Sequence, residues 1–275
     1  MKTAIIGTGG VGGYFGGRMA KAGHEVTFLA RGEHLKALKK EGLKVKSLQG
    51  DFHVQELKAV DRINDMDQGD LIILGVKAWQ VKEIADELKV IMTPESLVLP
   101  LQNGVLASEE LCEILPEKNV LGGLCRIISK IDAPGVIRHF AVEPTILFGE
   151  LDNSKTQRVK TIHQAFEKSG IRAAIARDIH AERWKKFISI CTSGLLAVTR
   201  STYGELREIK ETRQMMVELL KEIFELSQKV GIHIESDFVE KNVAFIDSFP
   251  YESTSSLARD VWEGKHSEIE YQNGT

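Results

Sequence analysis

Lys2-Thr3-Ala4-Ile5-Ile6-Gly7-Thr8-Gly9-Gly10-Val11-Gly12-Gly13 opens the chain and decides its fold. Thr3 to Ile6 is a short apolar run, predicted as a buried strand. Val11 to Ala22 has helical spacing and is closed by Gly23. Between them stands Gly7-x-Gly9-x-x-Gly12. Strand, glycine pattern and helix in that order are the fingerprint of a dinucleotide-binding βαβ unit. The first glycine permits a tight turn, the second lets backbone approach a pyrophosphate, and the third lets helix pack on strand. Unpaired N–H groups at the helix N-terminus meet the phosphate charge. Gly7, Thr8, Gly9, Gly10, Val11 and Gly12 are therefore the expected pyrophosphate cradle. Gly13, Gly16 and Gly17 add small residues that suit close packing of the same helix. A glycine-rich turn without a ligand is the competing reading, and the strand–helix context opposes it.

Working outward, Glu25 to Leu29 reads as a second strand and Leu35 to Glu41 as a short helix. Lys44 to Leu48 and His53 to Leu57 read as extended. Asp70 to Val76 is a continuous β-branched apolar run, as in a strand buried on both faces. Gln80 to Leu88 is helical and Leu97 to Leu101 is a strand. Such alternation predicts a parallel sheet covered on both sides. From Val120 to Glu150 the segments are extended, with Pro134-Gly135 as a turn and Thr145 to Gly149 as a strand. Lys155 to Ser169 is a helix and Ile171 to Ala176 a last strand. Ile179 to Val198, Leu206 to Val230, Ser236 to Ile246 and Thr254 to Glu263 then read as helices. The expected fold is α/β: a Rossmann-type dinucleotide-binding domain over 1–177, followed by an all-helical domain over 178–275. No Gly/Ser linker separates them, so direct packing with an interdomain cleft is expected.

Composition narrows the function. The 275 residues suit two domains, with 43% hydrophobic and 27% charged residues, as in a soluble protein. A net charge of −3 without a Lys/Arg run advertises no nucleic-acid surface. No apolar stretch reaches the roughly 20 residues of a membrane span. The N-terminus lacks the pattern of a signal peptide. Cys112, Cys125 and Cys191 lack CxxC spacing, so neither a disulfide framework nor a metal site is expected. These features fit a reducing cytoplasm.

The end of the second strand bears on the cofactor. An NAD site usually places an acidic residue there for the ribose 2′-hydroxyl. This chain has Leu29-Ala30-Arg31-Gly32, and the planar guanidinium of Arg31 suits a 2′-phosphate. Glu33, two residues on, is a carboxylate that can compete for the ribose. The chemistry favours NADP(H).

Further motifs then combine: Val76-Lys77, Gln102-Asn103-Gly104, Trp184-Lys185-Lys186, Ser255-Ser256 and Glu268-Ile269-x-Tyr271-x-Asn273-Gly274. Together with the glycine loop, in this order and spacing, the set resembles the ketopantoate reductase family over nearly the whole chain. The resemblance implies NADPH-dependent reduction of a 2-oxo acid, ketopantoate to pantoate, on the way to pantothenate and coenzyme A. It implies that Lys186 is the proton donor to the developing alkoxide. Desolvation in a cleft would suit that role by lowering a lysine pKa. It further implies Lys77 near the nicotinamide ribose and Asn103 touching both cofactor and substrate. Ser256 would bind the substrate carboxylate, and Glu268 would lie beside the nicotinamide end and the active-site lysine. Helical spacing puts Trp184, Phe187, Ile188, Cys191 and Leu195 on a core face, with Lys186, Ser189, Ser193 and Arg200 opposite. That opposite side suits solvent or the lining of a cleft equally well, and Lys185 is the second choice for the donor. By analogy, a homodimer through the helical domain is expected.

Two departures stand out. The family's substrate asparagines lie four and eight residues after the catalytic lysine, and here those positions are Ile190 and Gly194. Ser193 and Ser189 are the candidate replacements. The family also continues past Asn273-Gly274 into another helix, whereas this sequence stops at Thr275, so either the sequence is cut there or the second domain is short. Two alternatives stay open: a reductase or dehydrogenase of another branched 2-oxo acid, and a non-catalytic NADP(H)-binding regulator.

Overall fold

The computed structural model describes residues 1–275. The chain forms two compact units. One comprises Met1–Gln102 and Leu106–Ile179, the other Asn103–Val105 and His180–Thr275.

The first unit is built on β1 (Lys2–Ile6), α1 (Gly10–Lys21), β2 (Glu25–Leu29), α2 (Gly32–Glu41), β3 (Leu43–Ser47), β4 (Phe52–Val54) and β5 (Lys58–Val60). It continues through β6 (Leu71–Leu74), α3 (Val81–Leu88), β7 (Leu97–Pro100), α4 (Ala107–Cys112), β8 (Leu121–Ala133), β9 (Val136–Glu150), α5 (Gln157–Lys168) and β10 (Arg172–Ile175). One sheet has the order β5-β2-β1-β6-β7, with every pair parallel. Its central strands are buried on both faces, which is why β6 is an unbroken apolar run. Register aligns Ile6 with Leu29 and Leu74, and Leu74 with Pro100. The carboxyl ends of four strands therefore share one edge.

A second sheet is a feature that the alternating pattern did not anticipate. Its order is β10-β9-β3-β4, and the long β8–β9 hairpin turns at Pro134-Gly135. The first part of β9 pairs with β3 and the last part with β10. Between them Val142 takes φ +62°, which bends the strand. Helix α1 serves both sheets through its glycines. A β-carbon on Gly16 would meet Ile5 and Phe28 of the parallel sheet at 2.6 and 2.8 Å. On Gly13 it would meet Ile137 of β9 at 2.7 Å. Each helix-interior glycine costs about 1 kcal/mol in propensity, and burial of Ile5, Phe28, Ile137 and Phe15 in one core offsets it.

The second unit is helical: α6 (Ile179–Thr199, beginning at the boundary), α7 (Tyr203–Glu208), α8 (Lys210–Lys229), α9 (Phe238–Asp247) and α10 (Ser256–Trp262), ending in one π-turn over Glu270–Gly274. The expected single helix over 206–230 is two helices, divided where Ile209 adopts extended backbone. α7 begins earlier because Thr202 and Glu205 form a reciprocal capping box. Helix α6 is packed along much of its length. Phe187, Ile188, Cys191 and Leu196 join Met216, Leu220, Val239, Ile246 and Leu257 in one core. The indole N–H of Trp262 donates to the Ala197 carbonyl at 3.2 Å. No helix is long and apolar enough to cross a membrane.

Candidate active site

The shared edge of the parallel sheet carries the glycine loop. Gly7 follows β1 with φ +96°, and a β-carbon there would lie 2.8 Å from the backbone nitrogen of Val76. A β-carbon on Gly12 would lie 2.2 Å from the Gly7 carbonyl oxygen, so α1 sits directly on the turn. A β-carbon on Gly9 would meet nothing within 4 Å. One glycine permits the turn, one seats the helix, and one leaves open space in front of the helix N-terminus. That helix has no side-chain cap and no acidic residue in its first turn. Its first N–H groups are thus arranged for an anion, and a pyrophosphate fits this cradle.

Thr8 has a different task from the one expected. Its backbone N–H and its hydroxyl both donate to the Leu29 carbonyl, at 3.0 and 2.8 Å. With both donors engaged, it pins the loop to the end of β2. Ser129 of β8, by contrast, carried no motif in the sequence. A β-carbon on Gly10 would meet its carbonyl oxygen at 2.5 Å and its hydroxyl at 2.9 Å, and that hydroxyl is buried without a partner. Only the hairpin brings it to the loop, so the sequence held no local signal for it.

Arg31 is exposed at the start of α2 and its guanidinium makes no ion pair. The neighbouring carboxylate of Glu33 accepts from Lys36 at 2.7 Å, both side chains being largely exposed. Lys77 leaves β6 exposed, its ammonium 5.8 Å from the centre of the Trp79 ring. Gln102 braces the sheet edge by donating to the Leu74 and Val76 carbonyls, each at 3.0 Å.

In the helical unit, three motifs distant in sequence come together. The Asn103–Val105 segment lies against the C-terminal segment, since a β-carbon on Gly104 would stand 2.8 Å from the Tyr271 carbonyl. Buried Arg183, in the second turn of α6, donates to the carbonyl of Val105. Lys186 follows one turn later and is half-buried. Asn103 is half-buried, and its amide makes no hydrogen bond within the chain. Glu268 is a buried carboxylate, 8% exposed.

Lys185, the second choice for the donor, is held elsewhere. Its ammonium pairs with Glu235 at 2.9 Å and Glu182 at 3.3 Å. Partial burial disfavours the charge, but these two carboxylates outweigh it and raise the pKa. Ser255 and Ser256 divide their tasks: Ser255 caps α10 by accepting from the Ala258 N–H at 3.0 Å, and the exposed Ser256 hydroxyl makes no hydrogen bond.

Ser189 and Ser193 correct the reading of α6. Ser193 is buried, 4% exposed, on the part of α6 where the neighbouring Thr192 hydroxyl lies 3.2 Å from the phenol oxygen of buried Tyr203. The hydroxyl of Ser189 lies 3.0 Å from both the Lys185 carbonyl and the Asn242 side-chain oxygen on α9. At these two serines the face opposite the apolar stripe is packed toward α7 and α9, while Lys186 on the same face stays half-buried and Arg200 exposed, a difference that periodicity does not show. Neither serine stands open as a replacement for the missing asparagines. Cys191, on the same helix, is an inert core thiol whose burial pushes its pKa up to about 12.

Parallel sheet and glycine loop define the class: a dinucleotide-binding protein with a helical second unit. A family model described as ketopantoate reductase PanE/ApbA matches residues 3–153, and its C-terminal counterpart matches residues 178–275. The chain belongs to the ketopantoate reductase family of oxidoreductases. An uncharacterized oxidoreductase, YkpB of Bacillus subtilis, is 31% identical over all of this chain and 90% of its own length. The 2-dehydropantoate 2-reductase of a Nostoc species is 30% identical, covering 94% of this chain and 83% of its own. Among solved structures, a PanE/ApbA family ketopantoate reductase from Ralstonia eutropha superposes with a TM-score of 0.91 at 28% identity, over all of this chain and 89% of that one. D-mandelate dehydrogenase, solved with NADH and anilino(oxo)acetate, has a TM-score of 0.89 at 24% identity, over all of this chain and 90% of that one, and shares the fold.

Proposed function

We propose that this protein is a cytoplasmic 2-dehydropantoate 2-reductase that reduces ketopantoate to pantoate with NADPH. The observation that carries the reading is the convergence, within the helical unit, of the Asn103–Val105 segment, the Glu268–Asn273 segment and the start of α6. Groups suited to a 2-oxo acid lie on these elements.

NADPH, when bound, supplies the hydride. The α1 N-terminus and Gly9 backbone would hold the pyrophosphate, and the Ser129 hydroxyl would add a donor beside Gly10. Arg31 pairs with the 2′-phosphate, supported by its lack of another partner and by the Glu33–Lys36 pair. Lys77, exposed after β6, would hold the nicotinamide ribose. The Asn103 amide has donors and an acceptor available for orienting groups on both sides of it. Ser256 donates to the substrate carboxylate. As the ketone carbon becomes tetrahedral, charge builds on its oxygen, and the Lys186 ammonium stabilises it and gives up a proton. Glu268 sets the charge balance around that lysine.

The second reading is a reductase of another branched 2-oxo acid, favoured by Ile190, Gly194, the engagement of Ser189 and the burial of Ser193. Steady-state kcat/KM with NADPH separates the two. A higher value for ketopantoate than for 2-oxoisovalerate supports the first, and the reverse order supports the second. Tight NADPH binding with neither acid reduced would instead leave a regulator.

A further inference from the structure

The tip of the β8–β9 hairpin is fastened beside the glycine loop through one side chain. Gly135, at φ +75°, accepts from the Lys44 N–H of β3 at 2.9 Å and donates its own N–H to Nδ1 of His34 on α2 at 3.1 Å. A β-carbon on Gly135 would stand 3.0 Å from that of Ala37, one turn further along α2, so the tip lies on the helix. His34 is half-buried with its Nε2 enclosed, and the backbone of Thr8 in the glycine loop lies beside the ring. Thr8 is itself pinned to the end of β2, and Ser129, further back on the same hairpin, lies against Gly10. The imidazole therefore stands between the hairpin and the loop. Because Nδ1 accepts from an N–H, the ring is neutral and carries its proton on Nε2.

Resting on the reading of the glycine loop as an NADP(H) cradle, we infer that His34 is a positioning residue for the cofactor: its neutral ring holds the β8–β9 hairpin against the loop, and its protonation releases the hairpin and weakens binding. An imidazolium has two N–H donors, so Nδ1 can no longer accept from Gly135 and two donors face one another. Burial holds the His34 pKa below the ordinary histidine value, with the Thr8 backbone acting in the opposite sense. The ring is therefore neutral at neutral pH. Affinity is complete there and falls as pH falls through that lowered pKa. The charged groups on the surrounding elements are Arg31 and the Glu33–Lys36 pair on α2, the Glu41–Lys44 pair leading into β3, and the Asp132–Arg138 pair on the hairpin; the glycine loop carries none. The partners of Asp132 and Glu41 hold both carboxyls below their ordinary range, so neither changes charge where the imidazole does.

The test measures the Kd of NADP+ by calorimetry for wild type, His34→Asn and His34→Leu between about pH 8 and about pH 5, with thermal melts showing that each protein is folded. Asparagine carries its Oδ1 on Cγ, as histidine carries Nδ1, so it can accept the Gly135 N–H, yet it does not titrate. At about pH 8, His34→Asn should bind within about threefold of wild type and His34→Leu roughly tenfold more weakly. The 2′-phosphate of the cofactor titrates at about pH 6 with every protein, so the readout is the ratio of the wild-type Kd to the His34→Asn Kd. That ratio should rise about fivefold to tenfold toward about pH 5. A ratio that stays flat, as a packing role would give, overturns the inference, and so does one that falls, as a direct contact of imidazolium with phosphate would give. If wild type binds no NADP+ at any pH, the cradle reading falls and this one with it. If it binds and the ratio is flat, this one falls alone.

Discussion

The backbone of Gly104 lies against the carbonyl of Tyr271, so closely that a β-carbon on Gly104 would stand 2.8 Å from that oxygen. Gly104 also holds φ +98°, a conformation that other residues rarely adopt. Two motifs about 170 residues apart are thereby joined: the Gln102-Asn103-Gly104 turn and the segment carrying Glu268 and Asn273. Gly104→Ala should cost about 2 kcal/mol of stability. It should also lower kcat/KM more than kcat, as Asn103 and the C-terminal segment lose their register. Thermal melting and steady-state kinetics read both effects. A variant unchanged in both would show that the contact positions nothing.

The two flanking glycines of the loop should respond differently to the same methyl group. Gly9 has φ −84° and open space, so Gly9→Ala should fold with stability within about 0.5 kcal/mol of wild type. Its NADPH affinity should fall at least roughly tenfold, because the methyl stands where the phosphate approaches. Gly12→Ala meets the Gly7 carbonyl at 2.2 Å and should cost about 3 kcal/mol of stability. Calorimetric binding and denaturant melts distinguish the two. Equal destabilisation by both would remove the distinction between a binding glycine and a packing glycine.

Arg31→Ala tests the cofactor preference. Loss of a charge-assisted pair should weaken NADPH by roughly tenfold to a hundredfold and NADH by about twofold or less. Fluorescence titration with each cofactor measures the ratio. Parallel losses would take Arg31 away from the 2′-phosphate.

The parallel sheet was legible because its signals are local. Strand, glycine loop and helix follow one another, and β6 is an unbroken buried run. The second sheet was not, since its strands lie far apart in sequence and β8–β9 carries register shifts. Thr202-x-x-Glu205 signals the start of α7, whereas the break at Ile209 carries neither Gly nor Pro and has no local mark. At the site, residue types were readable but partners were not. Nothing local in the sequence says that Ser189 faces Asn242, that Thr192 faces Tyr203, or that the Asn273 amide lies on Gly194. Each of those pairs elements that meet only on folding, and each changes what a side chain can do.

The most direct test of the central claim is turnover by Lys186→Ala alongside its NADPH affinity. A 2-oxo acid reductase with Lys186 as proton donor predicts bound NADPH with kcat down on the order of a hundredfold or more. A variant that binds NADPH and still oxidises it with a 2-oxo acid at near the wild-type rate would contradict the account.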